Sequence, residues 1–559
     1  MIQHKKYKLS RLWNHFKNYL FIIIPIIFVV VTILIHFSIG KFYLVSTDPE
    51  YLHLLNGINL SIFNLSVSYI DHPGTTIQGI YAISAHIVNI IQPSNNIITN
   101  VINHPEDFIH GASILLILIT CLTIVLFGFY TYKYTGNMLL AILVQLIPFG
   151  NVRVLLVSGR LIPEAALIGP LIILCLLIIK FIYDSNRENN IKKYLVGFAI
   201  AGGLGMAGKL NYLPFLIIPL FLIASAKNRL KYLFYTVLAT LIFAFPLVVN
   251  LRKSWTWYSN LFIHSGKWGG GESNFIDFVN IPDHLQKIFH MDQSLFYLIG
   301  FAIVQIILFY ILPFLRRRES SKYLLKAMVA VVVALLFSAL LVAKHFAFHY
   351  FVPSLVFKAF IIFLSASLII DLTNRKKTRN YISAFALLLM LFLIIPQVSD
   401  LKAAVAKNKQ RAEKFETRSN LLMQYDVQNN PLIITSNYRG SPFIQSALVD
   451  GFLQSGHLKS TYIEQLTEKY PNTFFYFSWS EHFYFWDQFL NAADFVNPDR
   501  PVYLFIGEDK SENLTHILKR IEIAFADFDQ DLKLLNQFTE PEESFYELTF
   551  TKRNAVPNH

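Results

Sequence analysis

Long apolar runs, most of about 16 to 25 residues, recur through the first 400 positions of this 559-residue chain, separated by short polar or basic stretches. An α-helix needs about 20 apolar residues to cross a hydrocarbon layer roughly 30 Å thick, and lipid offers no partner to an unpaired backbone amide. Such a chain can therefore fold only as a set of spanning helices. Eleven runs are legible, near 19–38, 110–131, 137–150, 162–182, 194–207, 211–225, 232–250, 294–313, 323–342, 350–371 and 381–396. The third, fifth and sixth are short enough to be tilted or broken. With 54% hydrophobic and 15% charged residues, the composition belongs to the membrane class.

The net charge of +12 does not mark a nucleic-acid binder, because the basic residues gather in alternate loops. With the N-terminus cytoplasmic, the inner segments 1–18, 131–137, 180–193, 226–231, 314–326 and 372–380 hold 22 Lys and Arg in 67 residues. The outer segments 39–107, 148–162, 207–211, 251–292 and 343–350 hold 9 in 139. That bias puts the C-terminal region outside. The basic opening followed by about 20 apolar residues without a small-residue cleavage site reads as an uncleaved signal anchor. Cys121 and Cys175 both fall inside expected spans, so no disulfide is expected in the outer region.

The expected organisation is a cytoplasmic segment 1–18, a membrane domain 19–398 with outer loops 39–107 and 251–292, and an outer α/β domain 399–559. Residues 399–427 carry helical periodicity. Beyond them PLIITS, TFFYFSW and PVYLFIGED read as strands, while SPFIQSALVDGFLQSG and SENLTHILKRIEIAFADF read as helices. The aromatic cluster FFYFSWSEHFYFWDQF is better explained by packing than by sugar stacking. In the second outer loop, Trp255, Trp257 and Trp268 read as interfacial anchors, beside the flexible Gly269-Gly270-Gly271.

The first outer loop sets Asp48, Glu50, Asp71, Glu106 and Asp107 against one basic residue, Lys41. In STDPEY, Pro49 stiffens the backbone so that Asp48 and Glu50 are expected to be presented together at the bilayer edge. Transfer onto a hydroxyl or amine needs a carboxylate that accepts the acceptor's proton, and Asp48 is the candidate. A helix-capping role for the same DPE segment stays open. In YIDHPGTT, the Pro73-Gly74 turn would hold Asp71 and His72 near the same surface, with a solvated turn as the alternative.

Basic residues at the outer ends of spans form a complementary set: Arg153, Arg160, Lys209, Lys344, His345 and His349. Individually they can be snorkelling residues; jointly they suit the phosphate of an anionic lipid. Glu164 follows Arg160 by four positions and would share its helical face if the helix continues through Pro163, as an ion pair or part of a site. No P-loop, GxGxxG, zincin or clustered Cys/His motif is present.

Taken together, DPE and DHPG in the first outer loop, RLIPEA, GLGMAGKLNYLPFL and KHFAFHYFVPSL resemble motifs of the GT-C superfamily of membrane glycosyltransferases. The resemblance implies inverting transfer of a sugar from a polyprenyl-phosphate donor to a glycan, lipid or protein acceptor. On it Asp48 is the base and Glu50 the second acid, Asp71 and His72 shape the acceptor site, and Lys209 and Lys344, with Arg160 and His349, contact the lipid phosphate. Where the family often has Arg before Tyr, this chain has His349 before Tyr350, so that contact depends on protonation near a pKa of roughly 6.5. Some members use a divalent cation and others none, which leaves a metal open. The implied location is a bacterial inner membrane with the C-terminal domain periplasmic. The competing reading is a flippase of a lipid-linked glycan, but flippase sites generally lie at the bilayer midplane between repeated halves, and no repeat is visible here.

Overall fold

The computed structural model describes residues 21–46, 48–70, 73–264, 280–316, 318–435, 440–456, 459–478, 480–507 and 511–553. The chain forms two compact units. One comprises Met1–Phe37, Ile70–Ile80 and Ala112–Ala406, the other Ser38–Tyr69, Tyr81–Gly111 and Lys407–His559.

The first unit is helical. Among the described residues seven helices are long and apolar enough to cross a membrane: Phe21–Ser38, Pro105–Thr135, Pro163–Tyr183, Gln293–Ile311, Glu319–Lys344, Phe348–Asp371 and Lys376–Leu422. The other four apolar runs are also helical but shorter, broken or flanked by charge. Met138–Gln145 gives way to a 3₁₀ turn at Pro148, and Leu210–Leu222 carries Pro214 and Pro219. Ile191–Gly208 and Ala226–Phe243 hold basic residues in their first turns. Phe348–Asp371 is almost wholly buried, whereas Gln293–Ile311 and the apolar part of Lys376–Leu422 turn most of their surface outward, as lipid-facing helices do. In the second outer loop, Leu251–Ile263 and Ile281–Met291 are helical and Trp255 is exposed. Trp268 and Gly269-Gly270-Gly271 lie outside the described residues.

The second unit contains a seven-stranded sheet: β1 (Leu432–Thr435), β2 (Thr473–Phe477), β3 (His482–Phe485), β4 (Gln488–Leu490), β5 (Val502–Ile506), β6 (Phe528–Thr539) and β7 (Glu542–Lys552), in the order β4-β3-β2-β1-β5-β7-β6. The central β2-β1-β5 pairs are parallel and the flanking pairs antiparallel. Strands β1, β2 and β5 are buried along their whole length, as parallel strands covered on both faces are. Helices Ile444–Leu453 and Ser511–Ala524 fall where the sequence places them. Most of the aromatic cluster is core: Phe475, Phe483 and Trp486 are buried, while Phe489 is exposed.

The outer-loop segments Ser38–Tyr69 and Tyr81–Gly111 are packed into this unit. Helix Glu50–Ser61 lies against Ile444–Leu453, close enough that a Cβ on Gly451 would come 2.7 Å from the Tyr51 carbonyl oxygen. The Tyr462 hydroxyl donates to Asn59 Oδ1 at 2.8 Å, and Lys469 Nζ donates to the Ile102 carbonyl at 2.8 Å. Glu106, expected on an acidic surface, is instead a buried acceptor for the Phe42 amide (2.9 Å), the Tyr43 amide (3.2 Å) and the Tyr51 hydroxyl (2.8 Å). Those three donors explain why a carboxylate is tolerated there. Burial, reinforced by the Glu106 carboxylate, pushes the Tyr51 phenol well above its ordinary pKa.

Candidate active site

In the first unit the chain brings four of the singled-out residues together. Helix Val152–Ser158 ends at Gly159, and a new helix, Pro163–Tyr183, starts with proline at its first position. Arg160 and Glu164 therefore do not share a continuous helix, contrary to the sequence expectation. Proline lacks the N–H that a continuing helix needs, and it holds the preceding Ile162 extended at φ −120°, ψ 157°. Glu164 falls in the first turn of the new helix, where the exposed amide dipoles favour a carboxylate.

Lys209 reaches Glu164 because helix Ile191–Gly208 ends in small residues. A Cβ at Gly205 would overlap the Tyr212 ring, and one at Gly208 would come 2.9 Å from Leu167. The glycines let the following 3₁₀ turn fold back against the helix, and Lys209 and Glu164 form a buried ion pair. The ammonium lies 4.2 Å from the centre of the Tyr350 ring, whose carbonyl accepts from Asn211 Nδ2 at 3.1 Å. His349 Nε2 stands 3.8 Å from Glu164 Oε1, and Arg160 lies within electrostatic range of His349. With His349 neutral, Lys209 and Arg160 against Glu164 leave one positive charge, and protonation of His349 adds a second.

The Pro73-Gly74 turn is held beside this cluster: the Gly74 amide donates to the Gly208 carbonyl at 3.2 Å and Thr75 Oγ1 to the Ala207 carbonyl at 2.9 Å. Asp71 and His72 themselves lie outside the described residues. Lys344 is engaged elsewhere, where its ammonium and His345 Nε2 both donate to the Leu261 carbonyl, at 3.2 and 3.0 Å. Burial lowers the His345 pKa, with the Leu261 hydrogen bond opposing the shift.

In the second unit the two acids of DPE part company. Asp48 is exposed and accepts from the Tyr69 hydroxyl at 3.2 Å, while Ser46 Oγ donates to its backbone carbonyl. Glu50, expected at the surface beside it, is fully buried in the first turn of Glu50–Ser61. The helix is enclosed on every side: Glu50 through Asn59 are all buried, so its first turn is covered along with Tyr51, Leu54 and Leu55. Asp48 does not cap the helix, whose N-cap position is Pro49 with no side-chain capping bond. Among the described residues no three His, Cys, Asp or Glu side chains gather as a metal site.

Solved structures are similar to this chain, among them the following two. The ArnT of Cupriavidus metallidurans bound to undecaprenyl phosphate aligns at 10% identity over 93% of this chain and 97% of that one, with a TM-score of 0.49. The archaeal oligosaccharyltransferase AglB of Archaeoglobus fulgidus, in complex with an inhibitory peptide and a dolichol-phosphate, aligns at 12% identity over 97% and 75%, with a TM-score of 0.40. At such scores neither decides the fold or activity of this chain. No family model matches the sequence, and no curated protein does.

Sequence reasoning missed Tyr69 as the partner of Asp48, since nothing in a single tyrosine marks it. It also missed Lys358, which sits within the apolar span FVPSLVFKAFII and is ion-paired with Asp292. A lysine inside a spanning run requires such a partner, and that signal stands in the sequence.

Proposed function

We propose that this protein is a membrane glycosyltransferase of GT-C type that moves a sugar from a polyprenyl-phosphate donor to an acceptor hydroxyl or amine, with inversion. The observation that carries this reading is the gathering of Arg160, Glu164, Lys209 and His349 from three separate chain segments into one cationic cluster. Buried charge of this kind at span ends is costly and marks a functional site. A net-positive cluster at headgroup depth suits a lipid phosphate, and its charge stabilises the phosphate as the bond to the anomeric carbon breaks.

In the proposed reaction the acceptor heteroatom attacks the anomeric carbon, the lipid phosphate leaves with the bonding pair, and Asp48 takes the acceptor's proton. Support for Asp48 is its exposure and the hydrogen bond it accepts from the Tyr69 hydroxyl, which orients the carboxylate without burying it. Glu50, buried beside it in sequence, is assigned as the second acid of the DPE motif on the family resemblance. Asp71 and His72 are assigned to the acceptor side and Lys344 to the donor phosphate on the family resemblance. A glycan, lipid or protein as acceptor, a periplasmic location for the C-terminal domain and an N-terminus inside belong to the same proposal.

The test follows label from radiolabelled polyprenyl-phosphate sugars in membranes carrying the wild-type chain, Asp48→Asn or Lys209→Met. The proposal expects sugar transfer by wild type and its loss in both variants at equal expression. Label crossing the bilayer with no donor consumed would replace it with the flippase reading.

A further inference from the structure

A polar cavity of about 760 Å³ opens in the first unit; none of the four clustered residues lines it, although its Arg153 packs on Phe348, the neighbour of His349. Its wall includes Asn151 and Arg153 at the start of Val152–Ser158, Asp292 and Gln293 at the start of the span Gln293–Ile311, and Gln397 and Asp400 on Lys376–Leu422. All three segments contribute at the end of an apolar run, the depth of lipid headgroups.

The wall is built rather than incidental. Asp292 and Lys358, almost completely buried, form an ion pair, and Lys358 Nζ donates to the Gly150 carbonyl at 2.7 Å. Asp292 also accepts from Asn151 Nδ2 at 2.9 Å, Ser294 Oγ at 2.6 Å and the Leu295 amide at 3.1 Å. Gln397 Oε1 accepts from the Val152 amide at 2.9 Å, tying Lys376–Leu422 to the same corner. With that pair satisfied internally, the lining carries Arg153 and Asp400 as its remaining permanent charges among the described residues, beside His290, whose Nδ1 accepts from Gln293 Nε2 at 3.2 Å. The cation is Arg153, its guanidinium 5.2 Å from the centre of the Phe348 ring, and the anion is the exposed Asp400.

The two longest helices at the cavity carry exposed apolar rows away from it. On one, Tyr297, Phe301, Val304 and Leu308 are exposed, and on the other Leu388, Leu391, Phe392 and Ile395. Spacings of three and four put each row on one helical face. A polar cavity bearing both charges, at the head of two lipid-facing apolar rows, matches an amphiphile with a doubly charged head. We propose that this cavity binds the headgroup of a zwitterionic phospholipid, the phosphate against Arg153 and the ammonium against Asp400, with the acyl chains along the two rows. The site is independent of the glycosyl-transfer reading.

The experiment uses delipidated full-length protein and native mass spectrometry, with thermal unfolding of each lipid-free variant as a folding control. Three probes are titrated: short-chain phosphatidylethanolamine, phosphatidylglycerol of the same chain length, and water-soluble phosphoethanolamine. One charge-assisted contact corresponds to about tenfold in affinity, so phosphatidylethanolamine should bind about tenfold tighter than phosphatidylglycerol. Asp400→Asn should abolish that preference and Asp400→Glu keep it, while Arg153→Gln should weaken both lipids. Equal binding of the two lipids by wild type, or an unchanged preference in Asp400→Asn, overturns the proposal. Phosphoethanolamine binding as tightly as the lipid would overturn it in favour of a soluble phosphate-bearing amine.

Discussion

The ammonium of Lys209 and the carboxylate of Glu164 meet as an ion pair with 5% and 2% of their side chains exposed, across 45 positions of sequence. Breaking such a pair on one side leaves an uncompensated buried charge. Lys209→Met and Glu164→Gln should each destabilise the protein by about 3–5 kcal/mol. The double variant should recover most of that loss while remaining inactive, because the cation proposed to hold the lipid phosphate is gone. Thermal unfolding beside a transfer assay on the three variants separates the structural role from the functional one.

Asp48 is exposed, so Asp48→Asn should leave unfolding unchanged and lower kcat by about 10²–10⁴, the range for removing a general base. Tyr69→Phe removes only the hydrogen bond that orients the carboxylate. It should lower kcat by less than Asp48→Asn with KM for donor unaltered. Equal activity of Asp48→Asn and wild type would remove Asp48 from the chemistry.

Glu106 receives three donors, so Glu106→Ala should be severe although it is assigned no part in the chemistry. Each buried donor left without a partner costs about 1–3 kcal/mol. Limited proteolysis should cleave the Phe42–Tyr51 region of the variant faster than that of wild type. Glu106→Gln, which keeps an acceptor oxygen, should be milder.

Acid should destabilise the fold at His345, because the charged ring is costly to bury although its Leu261 hydrogen bond is kept. Burial holds the folded-state pKa below the unfolded value, so the unfolded chain binds the extra proton first as pH falls. The contribution of this group is therefore complete above the unfolded pKa of about 6.5 and declines as pH drops through the window below it. Unfolding temperature measured from pH 8 to pH 5 should fall less steeply in His345→Gln than in wild type.

Several features are legible in the sequence because they depend on local composition. Apolar runs long enough to span, basic residues between them and the three β-branched and aromatic strands at the sheet centre each announce themselves within one window of residues. The edge strand β6 and its neighbour β7 do not, because their polar, half-exposed alternation resembles loop composition. The expectation of Arg160 and Glu164 on one helix fails for a local reason, since Pro163 starts a helix rather than sitting inside one.

By itself, then, the sequence determined the class of fold and the inventory of chemistry: which acids and bases exist at span ends, and that the chain must pair any charge it carries into lipid. Tertiary structure decided the partners. It joined Lys209 to Glu164 through a glycine-permitted close approach, set His349 beside them, buried Glu50 while leaving Asp48 exposed, and turned Glu106 from a surface acid into a buried acceptor. Those outcomes rest on packing between segments far apart in the chain, and packing of that kind leaves no periodic signature within any single segment.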